Sequence, residues 1–316
     1  MALSSEHILT LQQLSGIGTK TIFKVAEQVT KPIHTIEELY TFWKTLKGKK
    51  LEAIGKDDII EANNTAKRII EASAKESIGL VGYYDESFPD ILRYTINEEG
   101  KPDPPLLLWY RGDLSITRLP GIAVIGTREA TPEGIAGGTF LSGEFAKRGF
   151  NIVSGLAIGC DTCGHKGALK VGGKTTAFLA NGLDHDSIYP EENQDLAEEI
   201  VANGGLLFSE YPIRQGVNRY ALVARDRLQA ALSLATIVIQ TGVKGGTMHA
   251  ANTTLKAGKP LYAMKFKDDT TNQHEKCLGN AYLVEQGAKY IGGGDNLDTI
   301  SEKIKNWKPL QATLFD

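Results

Sequence analysis

The chain has 316 residues, 41% of them hydrophobic and 23% charged, with a formal net charge of −3. That is enough for one large domain and a smaller one, and it excludes a globally basic field able to hold any polyanion, so nucleic-acid binding requires a local patch. Three cysteines, a polar start and no apolar run of membrane-spanning length predict a cytoplasmic protein with no membrane association.

Residues 1–75 read as a small helical domain. Ser4 or Ser5 caps a periodic run through Ile8, Leu11 and Leu14. "LSGIGTKT" breaks that helix at Gly16 and Gly18 and starts another, and "TIEELYTFWKTL" and "KDDIIEANNTAKRIIEASAKE" are further amphipathic segments. The Pro-rich "EEGKPDPPLLLWYRGDL" (98–114) reads as a boundary or a long ordered connection.

From about residue 120, short apolar strands fit 122–125, 150–153, 175–180, 205–208, 236–239 and 261–264. They alternate with helices at 133–148, 162–170, 193–203, 225–234, 247–257 and 278–286. Continuous apolar strands alternating with helices predict a parallel sheet covered on both faces, an α/β doubly wound, Rossmann-like domain over 76–300. Residues 301–316 are a helix end and tail.

Ligands of such sheets bind where strands run out into helix N-termini, and four loops there hold the informative residues. Gly126, Thr127 and Arg128 follow the first parallel strand. Ser154, Gly155 and Gly159 follow the second, "NGLDHDSIYPEEN" the third, and Lys244, Gly245 and Gly246 stand in "QTGVKGGTMHAA". Gly-rich turns before helices expose N–H groups and the positive helix end, so a phosphate-bearing ligand is one reading. The other is that small residues only permit close strand–helix packing. Neither a dinucleotide fingerprint nor a P-loop is present.

Within "SGLAIGCDTCGHKGAL" (154–169), Asp161 stands where a helix cap stands, with His165 one turn on. The pair either faces a ligand or is a cap with a histidine bonded to it. Cys160 and Cys163 invite a redox or zinc reading, but the only further ligands are His274 and Cys277; no metal and no cofactor are predicted. Further on, Arg219, Arg225 and Arg227 cluster at a helix start. One of Arg225 and Arg227 is expected to bind an external anion while the other pairs with Asp226 or Glu210.

In order and spacing these segments resemble the DprA/Smf family, the DNA-processing proteins of bacterial transformation. The stretches that carry the resemblance are "YYDESFPDILRYTIN…PPLLLWYRGDLS", "IAVIGTREATPEG", "IVSGLAIGCDTCGHKGAL", "TTAFLANGLDHDSIYPEENQDLAEEI", "GGLLFSEYP" and "ARDRLQAALS". The resemblance implies a non-catalytic protein that binds single-stranded DNA in a basic pocket, forms a homodimer and helps a RecA-type recombinase. Its pocket includes Gly126, Arg128, Gly155 and Gly159, with Arg225, Arg227 and Lys244 at its wall. Asp226 between the two arginines, the "VKGGTMHAA" loop, Glu191 and Glu192 depart from the family pattern and mark a divergent member. Gly16, Gly18 and Lys20 resemble a helix-hairpin-helix turn that meets a DNA phosphate; a plain helical hairpin fits equally.

The competing class is a nucleotide-binding or nucleoside-phosphate-hydrolysing enzyme or sensor. Lys244-Gly245-Gly246-Thr247 echoes such a loop, but no carboxylate follows within a helix turn. At the end of the chain, Gln311, Leu314 and Phe315 have the spacing of a peptide that binds a sliding clamp, or else fold back on the domain.

Overall fold

A computed structural model describes residues 3–308. Five helices come first: α1 (Ser5–Gln12), α2 (Thr19–Ala26), α3 (Ile36–Trp43), α4 (Lys49–Glu52) and α5 (Lys56–Lys75). Their boundaries follow local chemistry. Ser4 Oγ accepts from His7 N at 3.2 Å, and Thr35 and Glu38 form a reciprocal capping box at α3. The turn between α1 and α2 needs Gly16 at φ +75°, and Gly18 is the N-cap of α2 without a side-chain bond.

Next come β1 (Gly79–Gly82), β2 (Leu107–Gly112), β3 (Gly121–Ile125), α6 (Pro132–Lys147), β4 (Asn151–Ser154), α7 (Cys160–Leu169), β5 (Thr175–Leu179), α8 (Gln194–Ala202) and β6 (Leu206–Ser209). The chain continues through α9 (Arg219–Leu232), β7 (Ala235–Val238), α10 (Gly246–Lys256), β8 (Leu261–Met264), α11 (Asp269–Gln273), α12 (Leu278–Glu285), β9 (Lys289–Ile291) and α13 (Leu297–Lys305). Among the described residues the strands form one sheet in the order β1-β2-β6-β5-β4-β3-β7-β8-β9.

The sheet is parallel from β6 to β9, as the alternation predicts, and antiparallel at its other edge. β1, β2 and β9 were not among the expected strands. β1 and β9 are short edge strands, and β2 lies inside the segment that reads as a connection. Pairing with a distant strand, β6, makes β2 a strand.

Alternate residues of each strand serve opposite faces. On one face, Ile122, Val124 and Ile152 pack under α6, α7 and α13, while Trp109, Ala177 and Leu207 share a continuous cluster with α8 and the amino-terminal helices. On the other, Val153, Phe178 and Phe208 meet α9, and Ala123, Ile125 and Val238 meet α10 and α12. The helical segment is thus seated on the sheet, with the Phe23 and Tyr83 rings edge-to-face at 5.1 Å and Ser5 Oγ donating to Asp85 at 2.9 Å.

Candidate functional site

β3 is flanked by β4, which follows it in the chain, and by β7, which comes much later. That reversal of strand order opens a crevice between the loops after β3 and β7. A cleft of about 330 Å³ lies there, walled by α9, and Gly126, Thr127, Arg128, Arg225, Lys244, Gly245 and Gly246 all line it. Gln240, just after β7, ties the loops together. Its carbonyl accepts from Thr127 N (2.7 Å), its Oε1 accepts from Thr131 N (2.9 Å), and its Nε2 donates to Thr131 Oγ1 (3.0 Å) and Cys277 Sγ (3.1 Å).

Charge is layered in this cleft. At the rim, Arg128 and Lys244 come from opposite loops, are exposed, and have no ion-pair partner among the described residues. Lys276 pairs with Glu129 across the same rim. In the floor, Arg225 is buried, with Asp161 Oδ2 at 3.9 Å and Asp226 Oδ1 at 3.3 Å. The second approach lacks hydrogen-bond alignment, so Arg225 Nε has no hydrogen-bond partner even though a carboxylate lies near. Gln229 Nε2 donates to Asp226 Oδ1 at 3.1 Å. Burial pushes the Asp226 carboxyl up to about 6; Arg225 opposes the shift and Asp161 adds to it. Burial likewise raises Asp161, against the pull of Arg225.

Gly155 and Gly159 do not line the cleft; they shape it. A Cβ on Gly155 would collide with the Arg225 guanidinium, whose Nη1 donates to Phe178 O at 3.3 Å. Gly159 has φ +81°, and a Cβ there would stand 2.5 Å from Thr127 O. Ser154 is buried and donates to Val124 O at 2.6 Å.

Asp161 is not the helix cap that its position suggests. Gly159 is the N-cap of α7, and Asp161 lies in the first turn, where its Oδ2 accepts from Gly155 N (3.1 Å) and Ala157 N (3.2 Å). Nor does His165 bond to it. His165 Nδ1 lies 2.7 Å from Thr175 Oγ1, which donates its own proton to Ile152 O at 2.7 Å. Nδ1 therefore carries the ring proton, and Nε2 is buried without a partner. The three cysteines are free and buried, and burial raises each thiol's pKa. Among the described residues no group of three or more His, Cys, Asp or Glu stands together to hold a metal.

α9 begins at Arg219, six residues before the expected start, because Asn218 Oδ1 caps it by accepting from Ala221 N at 2.9 Å. On this helix Arg225 turns to the cleft and Arg227 turns away. Arg227 meets Glu210 through two bonds of 2.7 and 2.8 Å and Asp103 at 2.7 Å, so its expected place at the pocket wall is corrected to a structural one: a buried guanidinium held by two half-buried carboxylates. Gly16, Gly18 and Lys20 form an exposed turn in the amino-terminal helices. Gln311, Leu314 and Phe315 lie outside the described residues. Gln229, Gln240 and Lys276 escaped sequence reasoning; only Gln240 had a signal, a polar residue directly after an apolar strand.

The family profile of DNA recombination-mediator protein A matches residues 79–305, from β1 through α13. The chain belongs to that family. It is 37% identical over 194 residues to the protein Smf of Synechocystis, in a match that spans 60% of this chain and about half of that protein (47%). With the DNA processing protein DprA of Bacillus subtilis it shares 29% identity over 243 residues, 77% of each chain. Among solved structures it is similar to DNA processing protein A of Streptococcus pneumoniae, with TM-score 0.73, 26% identity and coverage of 96% of this chain and 99% of that one. It is similar also to DNA processing protein A of Helicobacter pylori, solved for its single-stranded DNA binding mode, with TM-score 0.60, 31% identity, and coverage of 73% and 97%. The matched residues 79–305 span the whole mixed sheet, from β1 to β9. No helix among the described residues is long and apolar enough to cross a membrane.

Proposed function

We propose that this family member binds single-stranded DNA in the cleft between the β3 and β7 loops and performs no chemical step there. The observation that carries this reading is the pair of exposed cations, Arg128 and Lys244, facing one crevice from two loops without ion-pair partners among the described residues. The loops around them begin helices α6 and α10, whose dipoles favour an anion at that end. A rim of this kind tracks a phosphate backbone without a basic protein overall, which suits a net charge of −3. The floor carboxylates Asp161 and Asp226 serve as partners of Arg225 rather than as acid or base.

The rest of the reading draws on the family: help to a RecA-type recombinase, a homodimer, a cytoplasmic location, and the Gly16–Lys20 turn as a second phosphate contact. Fluorescence anisotropy with oligo(dT) tests the cleft. Binding weakens as salt rises, and Arg128→Ala loses roughly 1–3 kcal/mol, the scale of a charge-assisted hydrogen bond. An unchanged Kd in Arg128→Ala and Lys244→Ala variants that keep their fold would remove the cleft assignment. A thermal-shift screen with mononucleotides, run alongside, separates this reading from a nucleotide sensor.

A further inference from the structure

The most exposed large hydrophobic side chain among those described stands beside this cleft. Tyr220 is 87% exposed, in the first turn of α9. Three residues on, hence beside it on the helix surface, Val223 lines the cleft and is itself 40% exposed. Arg219 shares a helical face with Leu222, Val223 and Asp226, which all line the cleft, so α9 carries a third cation up to its mouth. Arg219 is exposed and has no ion-pair partner among the described residues. Asn218 Oδ1 already takes up the Ala221 N–H at the start of α9.

The layered charge decides how a strand uses this surface. Asp161 and Asp226 make the floor a poor place for phosphate, which keeps the backbone at rim height between Lys244, Arg128 and Arg219. The hollow that reaches Val217, just before α9, is lined by Tyr189 and Arg214 but also by Asp186 and Glu191, and these carboxylates disfavour phosphate there. A backbone held at the rim therefore passes the tyrosine ring, and its bases have an exposed aromatic face to lie on. Basic rim plus exposed aromatic ring is the physical signature of sequence-tolerant single-strand binding.

We infer that Tyr220 is a stacking platform for an unpaired nucleobase of a strand whose phosphates ride the Arg219–Arg128–Lys244 rim. The inference rests on the single-strand reading of the cleft and adds a base contact to its phosphate contacts. The test measures the full chain and its variants by anisotropy against oligo(dT) and against an abasic deoxyribose-phosphate oligomer of the same length. Tyr220→Ala is expected to weaken oligo(dT) binding roughly tenfold and to leave the abasic oligomer unaffected. Tyr220→Phe keeps the ring and stays close to wild type. Arg219→Ala weakens both ligands alike and flattens the salt dependence. If Tyr220→Ala binds oligo(dT) as wild type does, or loses both ligands equally, the stacking assignment is overturned while the cleft reading stands. If wild type binds neither oligomer at low salt, both fall together.

Discussion

Replacing Asp226 by Asn is expected to make the protein more stable at pH 8 and no more stable at pH 4. The Asp226 side chain is 13% exposed, and burial raises its pKa from 3.8 to about 6. The folded state therefore holds a proton that the unfolded state has released between those values. The carboxyl costs nothing below pH 4, and its cost grows as pH rises through about 6. A shift of about two pH units corresponds to roughly 3 kcal/mol at 1.36 kcal/mol per unit, an upper bound for a carboxylate flanked by an arginine. The Asn oxygen can still accept from Gln229 Nε2, so the substitution keeps that bond. Urea unfolding at pH 8 is then expected to give a variant about 1–3 kcal/mol more stable than wild type, and the curves converge near pH 4. Oligo(dT) affinity rises by about 1 kcal/mol at neutral pH, because one negative charge has left the cleft floor. A variant less stable than wild type at pH 8, or an offset that persists at pH 4, would refute the reasoning: the first means that Arg225 more than compensates the buried charge, the second that the gain does not come from ionisation.

His165 supplies a slope of the opposite sign. Burial holds its pKa down at about 3, so its contribution is complete above 6.5 and is lost as pH falls toward 3, by up to about 1.4 kcal/mol per pH unit. In Asp226→Asn that acid loss stands without its counterweight, and the stability profile between pH 6 and 4 is expected to steepen; a flat profile would contradict the orphaned Nε2. Arg227→Ala leaves Glu210 and Asp103, both partly solvated, without their shared cation and is expected to cost about 1.5–3 kcal/mol in urea unfolding. DNA affinity per folded molecule should stay near wild type. Lys259 Nζ donates to Ala230 O, Ala231 O and Ser233 O at 2.7–2.9 Å, closing the carboxyl end of α9. Lys259→Ala is expected to lose roughly 3 kcal/mol, seen as a lowered urea midpoint with an unchanged m-value; a neutral outcome would mean that water replaces the ammonium at no cost.

The residues themselves determined much of the architecture. Apolar runs such as 122–125 and 261–264 are hydrophobic on both faces, and only a strand covered twice buries them, so the core of the sheet and the loops at its carboxyl ends were legible. Local rules also placed the cap at Ser4 and the Gly16–Gly18 turn, because caps and positive φ are decided within a few residues. Tertiary structure decided what depends on partners far along the chain. β2 is a strand because β6 lies beside it. Arg225 and Arg227 are chemically alike and two residues apart, yet an α-helix turns about 200° over that interval. One meets Asp161 and the Gly155 turn in the cleft, and the other meets Glu210 and Asp103 away from it. The charge of Asp226 is likewise a property of its surroundings: burial and the neighbouring Asp161 raise its pKa, Arg225 lowers it, and none of these balances is visible in a string of residues.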